Sequence, residues 1–122
     1  MKVAILGASD NPSRYAHMAF RMLKDYGHEP IPVSPKLKNL EGVPVFATLK
    51  DVPRPVDTLT MYVGPAISAK LQPEILALKP RRVIFNPGSE NPELMAALEK
   101  AGIHVVEGCT LVLLRTNQFL AA

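Results

Sequence analysis

Short uninterrupted apolar runs alternate along the chain with stretches in which apolar residues recur at helical spacing. The first run, residues 3–6, is typical of a strand buried on both faces of a sheet. The apolar residues of the next stretch share one predicted helix face: Ala16, Ala19, Phe20 and Leu23. Gly27 is expected to end this helix. Asn11-Pro12 predicts its start, because Asp10 or Asn11 can cap free N–H groups and proline suits the first helical position.

The rest of the chain continues this alternation. Further main strands are expected at Glu29–Val33, 57–63, Arg82–Phe85 and 103–106, with a short strand at 43–46. Pro73 lies inside the helix that follows the third main strand and should kink or split it. Asn91-Pro92 should cap the next helix. Thr110 as the cap and the length of the final segment through Gln118 favour a short helix there over a strand.

Strands that alternate with helices predict a Rossmann-like three-layer α/β/α fold with a mainly parallel five- or six-stranded sheet. Pro30 and Pro32 lack N–H donors on one side of the second strand, so that side should pair poorly, against strand 43–46 at the edge. We expect a single domain, residues 1–122. Ligands of such sheets bind at the carboxyl ends of the strands. The loops at that edge begin at these residues: Gly7, Ser34, Gly64, Asn86 and Glu107.

Composition and charge narrow the function classes. The chain has 122 residues, a formal net charge of +3 and 20% charged residues, and Arg81-Arg82 is its only basic dipeptide. This pattern is typical of a solvated surface and argues against a nucleic-acid partner. One cysteine excludes an internal disulfide, and no apolar stretch is long enough for a signal peptide or a membrane span, so we expect a cytoplasmic protein.

The first two loops indicate which nucleotide such a sheet would hold. The first loop, GASDNP, lacks the second and third glycines of the dinucleotide fingerprint. The second strand ends in Val33-Ser34-Pro35 with no acidic residue for an NAD ribose. The next charges, Lys36 and Lys38, suit a phosphate on the ribose, either the 2′-phosphate of NADP or the 3′-phosphate of coenzyme A. A solvated loop is the alternative interpretation of these lysines.

Several stretches then carry a family resemblance over essentially the whole length. They are ILGASDNPSR, IPVSPK, LEGVPVFATLKDVPRPVD, the loop around Gly88, and AGIHVVEGC. In that order and spacing, the chain resembles small CoA-binding proteins related to the CoA-binding domain of the succinyl-CoA synthetase α subunit. The departures are Gly64 in place of proline, and Asn86-Pro87-Gly88 in place of a Thr-Glu pair. No phosphohistidine loop can be located, so the synthetase reaction is not transferred.

The resemblance implies where the parts of CoA would lie. The first loop would flank the pyrophosphate with Arg14 adding charge, Lys36 or Lys38 would face the 3′-phosphate, and Tyr62 would flank the adenine or pantetheine path. With Cys109, which is expected at the same sheet edge, the cofactor-binding set is Gly7, Ala8, Ser9, Asp10, Pro12, Arg14, Val33, Ser34, Pro35, Lys36, Lys38, Tyr62, Val63, Gly64, Pro65, Asn86, Gly88 and Cys109.

Candidate reactive side chains do not combine into a catalytic constellation or a metal-ligand spacing. Cys109 could form a mixed disulfide with CoA. The alternative interpretation is that Cys109 is a small, buried apolar residue of the core. His17 follows an inward-facing helix position and is expected to be partly exposed. Phe119 and Leu120 either pack as a terminus or help to form a homodimer, and an unidentified protein partner is also open.

The expected function is therefore binding of coenzyme A or an acyl-CoA at the carboxyl edge of the sheet, without catalysis by the chain itself. The alternatives are an NADP-binding oxidoreductase and a degenerate nucleotide-binding fold that acts as a protein-interaction scaffold. The oxidoreductase would need a nicotinamide pocket and a hydride acceptor, and the sequence shows neither.

Overall fold

Five parallel strands form the central sheet of the computed structural model, which describes residues 1–122. The strands are β1 (Lys2–Leu6), β2 (Glu29–Val33), β5 (Thr58–Met61), β6 (Arg82–Phe85) and β7 (His104–Glu107), in the order β2-β1-β5-β6-β7. This order confirms the Rossmann-like α/β fold and the positions of the five main strands. The strand ends differ from the predicted ones by up to two residues, as is usual for boundaries read from a pattern.

Helices cover both faces of the sheet. They are α1 (Tyr15–Asp25), α2 (Pro65–Lys70), α3 (Gln72–Leu78), α4 (Pro92–Lys100) and α5 (Thr110–Arg115), with a 3₁₀ turn at Leu49–Asp51. Phe20 of α1 and Leu114 of α5 belong to the apolar cluster on one face. The cluster on the other face joins the 3₁₀ turn, α3 and α4 through Leu49, Ile75 and Leu98. No helix has the length and apolar character needed to cross a membrane.

The expected sixth strand at 43–46 is wrong as a sheet strand. Val43–Pro44 forms β4, which pairs antiparallel with β3 (Asn39–Leu40) in a separate two-residue ribbon. Glu41 and Gly42 between them have φ values of 49° and 83°, as a tight hairpin turn requires. The local hairpin therefore uses these residues, and Phe46 alone bridges to Val33 of β2.

The two prolines of β2 face the outer edge of the sheet, as the sequence predicted. Pro32 accepts a hydrogen bond from the Phe46 N–H (3.0 Å), and the Ser34 N–H donates to the Phe46 carbonyl (2.9 Å). The backbone N–H and C=O groups of even-numbered residues in β2 thus point away from β1. The N–H donors that Pro30 and Pro32 lack would therefore have been on this outer side. All five residues of β2 pair with β1 on the inner side.

Helix boundaries correct several predictions from capping residues. Helix α1 begins at Tyr15 and not at Asn11-Pro12, because the Asn11 side chain accepts hydrogen bonds from the N–H and hydroxyl of Ser13 in a preceding turn. Helix α5 begins at Thr110 with Cys109 as its N-cap. The chain between β5 and β6 is split into α2 and α3 just before Pro73, and Asn91 caps α4 by accepting from the Leu94 N–H, both as predicted.

Arg82 is the most unexpected member of the core. It is fully buried at the start of β6, although the sequence placed it in a basic surface dipeptide. Its guanidinium donates to the Thr58 hydroxyl (2.7 Å) and to the carbonyls of Phe119 and Ala122. These contacts fix the last residues of the chain across the amino ends of the strands, where Phe119 is buried and Leu120 is exposed.

Candidate functional site

A cleft of about 950 Å³ lies at the carboxyl ends of β1, β2, β5 and β6. Its walls come from the loops after these strands, the start of α1, the segment 47–49, and one side of α2 and α3. Only three charged residues line it, namely Arg14, Lys36 and Glu74. This is the edge at which the sequence predicted a ligand.

Gly7 makes the tight turn that opens the cleft. Its φ is +92°, and a Cβ at this position would lie 2.8 Å from the Tyr62 carbonyl oxygen and 2.9 Å from Val63 Cγ1. Only glycine tolerates both this backbone conformation and this approach to the loop after β5. The amides of Gly7 and Ala8 both donate to the Val33 carbonyl, at 3.1 Å each. These two N–H groups are therefore occupied within the chain and are not available to a phosphate.

Free amide groups follow at Ser9, the next residue, and at the start of α1. The N–H groups of Ser9, Tyr15 and Ala16 have no partner in the chain, and all three residues line the cleft. The N-cap of α1 is Arg14, whose side chain makes no capping hydrogen bond. An eleven-residue helix with an uncapped start presents unpaired N–H groups and a positive dipole end, which together favour an anion.

The His17 side chain, on α1, contacts the backbone of the first loop. It is buried, so the expectation of partial exposure is wrong. Its Nδ1 lies 2.9 Å from the Ser9 carbonyl oxygen, and its Nε2 lies 3.0 Å from Glu41 Oε2 without hydrogen-bond alignment. Arg21 donates to the same carboxylate at 2.9 Å, and this hydrogen bond lowers the pKa of Glu41. The β3–β4 hairpin is thereby tied to the loop that precedes α1.

The loop after β2 presents one of its two lysines to the cleft. Ser34 is buried, and its hydroxyl accepts from the Lys36 N–H at 3.2 Å, which fixes the direction of the loop. Lys36 is exposed and lines the cleft, whereas Lys38 does not. Lys38 instead leads into the hairpin, where its carbonyl accepts from the Val45 N–H. The structure thus separates two residues that the sequence treated as equivalent.

A buried polar network lies behind the loops after β5 and β6. The Asn86 amide donates to the Thr60 hydroxyl (2.7 Å) and the Met61 carbonyl (2.8 Å), and its oxygen accepts from the Thr110 N–H (2.8 Å). The Thr60 and Thr110 hydroxyls lie 2.7 Å apart. Asn86 therefore connects β5, β6 and the start of α5, which explains why an asparagine fits here.

Tyr62 lies beside this network. Its hydroxyl is buried without a hydrogen-bond partner, close to the hydroxyls of Thr60 and Thr110. Burial raises the pKa of Tyr62 to about 12, because the phenolate would be poorly solvated there. The tyrosine thus contributes the bulk of its ring to the cleft lining, and its hydroxyl is held in the protonated form near neutral pH.

The structure brings most of the predicted binding residues to the cleft. Those that line it are Gly7, Ala8, Ser9, Arg14, Val33, Ser34, Pro35, Lys36, Tyr62, Val63, Gly64 and Gly88. Those that do not are Asp10, Pro12, Lys38, Pro65, Asn86 and Cys109. Cys109 is half-buried at the N-cap of α5. The part that each residue plays in binding stays a prediction.

Sequence reasoning missed the wall opposite the first loop. The lining residues outside the predicted set are Leu6, Ser13, Tyr15, Ala16, Ala47, Thr48, Leu49, Met61, Ile67, Leu71, Glu74, Pro87 and Ser89. Ile67 belongs to the helix predicted after the third main strand, but it is 52% exposed. The split of that helix at Pro73 was the available signal, since a break turns α2 away from the direction of α3.

The sheet is parallel, helices cover both of its faces, and the cleft at its carboxyl edge offers free amides and two cations. These features define a Rossmann-like α/β protein suited to an anionic ligand. Within that class, the chain belongs to the CoA binding domain family, which matches residues 1–115. This confirms the resemblance noted in the sequence.

The chain is also similar to individual proteins. A solved structure from Thermus thermophilus superposes with a TM-score of 0.89 at 37% identity, covering 97% of this chain and 90% of that one. The uncharacterized protein YneT of Bacillus subtilis is 34% identical over 61 residues, 50% of this chain and 45% of YneT. The ADP-forming acetate–CoA ligase II subunit alpha of Pyrococcus furiosus is 31% identical over 62 residues, 50% of this chain and 14% of that protein. The match thus spans less than half the length of either curated relative.

Proposed function

We propose that the chain, acting as one domain of residues 1–122, binds coenzyme A or an acyl-CoA in the carboxyl-edge cleft and catalyses no reaction by itself. The observation that carries this proposal is the set of unpaired amides at Ser9, Tyr15 and Ala16, which line the same cleft as Arg14 and Lys36. Membership of the CoA binding domain family supports CoA as the source of the phosphates. The single free thiol suits a reducing compartment, so we expect this binding in the cytoplasm.

In this proposal the parts of CoA follow the order of the strands. The diphosphate lies against Ser9 and the start of α1, where amides and the helix dipole favour negative charge. The 3′-phosphate lies near Lys36, after β2. The adenine continues into the wall formed by the segment 47–49 and α2, where Ile67 offers an exposed apolar side chain. The pantetheine leaves towards Gly88, at the β6 end of the cleft.

The absence of a reaction rests on the side chains in the cleft. Its lining contains no histidine and no cysteine, and its two cations are suited to phosphate contacts. His17 is buried against the Ser9 carbonyl, and Cys109 lies outside the lining. A general acid–base pair or a nucleophile with a neighbouring base is the minimum for most group transfers. The lining hydroxyl that donates to a carboxylate is that of Thr48, and its partner Asp51 (3.0 Å) is an exposed residue of the 3₁₀ turn outside the lining.

NADP is the second candidate ligand, and one observation favours it. Lys36 follows β2, which is also where a Rossmann protein binds the 2′-phosphate of NADP. The two ligands share the adenosine and diphosphate, and they differ in the ribose phosphate and the remaining arm. Binding measurements with both ligands therefore decide between them.

The test is isothermal titration of the protein with CoA, dephospho-CoA, NADP and NAD. We expect CoA to bind, dephospho-CoA to bind more weakly, and the two nicotinamide dinucleotides to give no comparable signal. NADP binding without CoA binding would replace the proposal with the oxidoreductase class. Binding of none of the four would leave the scaffold hypothesis.

Two lysine variants locate the 3′-phosphate. Lys36→Ala should weaken CoA binding about tenfold, the loss of one charge-assisted hydrogen bond, and should weaken dephospho-CoA binding much less. Lys38→Ala is the matched control, because it removes the same charge two residues away from the cleft lining. Equal losses in both variants would mean that the loop acts only through its general charge.

A further inference from the structure

Glu74 is the one carboxylate in a cleft whose other charges are both positive. It is half-buried and forms no ion pair within the chain. A carboxylate repels the phosphates of CoA, so it gains nothing from the charged part of the ligand. An ionised carboxylate is only an acceptor, and its natural counterpart in a ligand is an N–H donor.

The position of Glu74 decides which donor it meets. It lies in the first turn of α3, which packs against the 3₁₀ turn Leu49–Asp51. Ile75, the next residue, belongs to the same apolar cluster as Leu49. Leu49 of the 3₁₀ turn, Ile67 of α2 and Leu71 between α2 and α3 are apolar residues of the same lining, and the proposed function assigns the adenine to these elements.

We propose that Glu74 determines base specificity by accepting a hydrogen bond from the 6-amino group of the adenine. This inference rests on the proposed function, because it assumes CoA with its ribose beside Lys36. The apolar side chains of Ile67 and Leu71 pack against the faces of the adenine ring. The Glu74 carboxylate contacts the ring edge that carries the 6-amino group. The amide donors of pantetheine lie at the far end of the ligand, beyond the diphosphate. A flat aromatic base held between apolar walls leaves only its edge groups for polar recognition.

The test compares CoA with an analogue that carries hydrogen in place of the 6-amino group, by isothermal titration. Both ligands have the same phosphates, so the ratio of their affinities reports the amino group alone. The wild-type protein should prefer CoA about tenfold, the size expected for one hydrogen bond to a charged acceptor. In Glu74→Ala this preference should fall below about twofold, because no acceptor remains.

Two further variants complete the experiment. Glu74→Gln keeps a neutral acceptor of the same size, so an intermediate preference of about threefold is expected. Glu93→Ala is the matched control, because Glu93 lies in the first turn of α4 but outside the cleft lining, and it should keep the tenfold preference. An unchanged preference in Glu74→Ala, with CoA still bound, would overturn the role of Glu74 and leave CoA binding intact. Absence of CoA binding by the wild-type protein would overturn the proposed function and this inference together.

Discussion

The guanidinium of Arg82 lies over the ring of Phe119, with its central carbon 4.3 Å from the ring centroid. The arginine is fully buried, and its guanidinium donates to the Thr58 hydroxyl and to main-chain oxygens of Phe119 and Ala122. Burial lowers the pKa of Arg82 from its usual value. The ring face and the carbonyl dipoles together replace the water that the cation loses.

Replacement of Arg82 by methionine should lower the free energy of unfolding by about 3 kcal/mol. The new side chain fills the space but leaves the Thr58 hydroxyl and the Phe119 carbonyl without their donor. Urea denaturation followed by circular dichroism measures the change. Arg115→Met, on the exposed last turn of α5, is the control and should stay within about 0.5 kcal/mol of wild type. An unchanged midpoint for Arg82→Met would contradict this account of the core.

Gly7→Ala and Gly42→Ala form a second matched pair. Both glycines have positive φ, but a Cβ at Gly42 meets nothing within 4 Å, whereas one at Gly7 meets the Tyr62 carbonyl at 2.8 Å. Gly42→Ala should cost about 1 kcal/mol of unfolding free energy from backbone strain alone. Gly7→Ala should cost at least about 2 kcal/mol more, because the loops after β1 and β5 must separate. Similar losses in the two variants would mean that the close approach is easily relieved.

Tyr62 should make the protein sensitive to alkali. Its pKa is raised to about 12 in the folded state, above the usual 10.0 of the unfolded chain. A raised pKa stabilises the fold fully below the unfolded value, and that contribution is lost as the pH rises through the folded value. Unfolding free energy should therefore fall by about 2 kcal/mol between pH 10 and pH 12.

Tyr62→Phe should abolish this fall and leave stability at pH 7 within about 1 kcal/mol of wild type, since the hydroxyl makes no hydrogen bond. Tyr26→Phe, at an exposed position, should leave the alkaline loss in place. If the two variants have the same profile between pH 10 and 12, the loss has another origin.

Asp57 should produce the opposite dependence at low pH. Arg81 donates to both of its oxygens, at 2.9 and 3.2 Å, and this lowers the pKa of Asp57. A lowered pKa stabilises the fold above the unfolded value, and the contribution disappears as the pH falls through the folded value. Asp57→Asn should therefore lose about 1 kcal/mol at pH 7 and nothing at about pH 2.

Chemical denaturation across this pH range measures the difference between Asp57→Asn and wild type. Asp10→Asn, which removes an exposed carboxylate that forms no ion pair, is the control and should follow the wild-type profile. A gap for Asp57→Asn that persists at pH 2 would show that the lost contact is not electrostatic.

The sheet was predictable because buried parallel strands have short apolar runs in their sequences. The pattern of these runs located all five strands of the sheet. Local capping signals were less reliable. Asn11-Pro12 has the residue types of a helix start, but the Asn11 side chain accepts a hydrogen bond from the Ser13 N–H in a separate turn. Helix α1 therefore begins after this turn, at Tyr15. Likewise, residues 43 and 44 form a strand, but the turn at Gly42 pairs them with β3 in a local hairpin and not with the central sheet.

The site was half predictable for a similar reason. The loops after β1 and β2 are fixed at the cleft by the sheet, so Gly7, Val33 and Lys36 could be placed from sequence order, whereas Cys109 follows the edge strand β7 and lies outside the lining. Residues contributed by helix faces, such as Ile67 and Glu74, depend on the angle at which α2 and α3 pack, and no periodicity encodes that angle. Arg82 shows the same limit in the core, since only the fold of the final residues makes its burial tolerable.

The outward-facing prolines of β2 also bear on aggregation. With the Pro32 carbonyl and the Ser34 amide both bound to Phe46, the outer side of β2 offers no N–H to an incoming strand. At the opposite edge, the amides of His104 and Gly108 turn inward, so those of Val105 and Glu107 point outward and unpaired. The two borders of the sheet are thus unequal: one is blunted against amyloid-like extension, and only β7 could template the addition of a further strand.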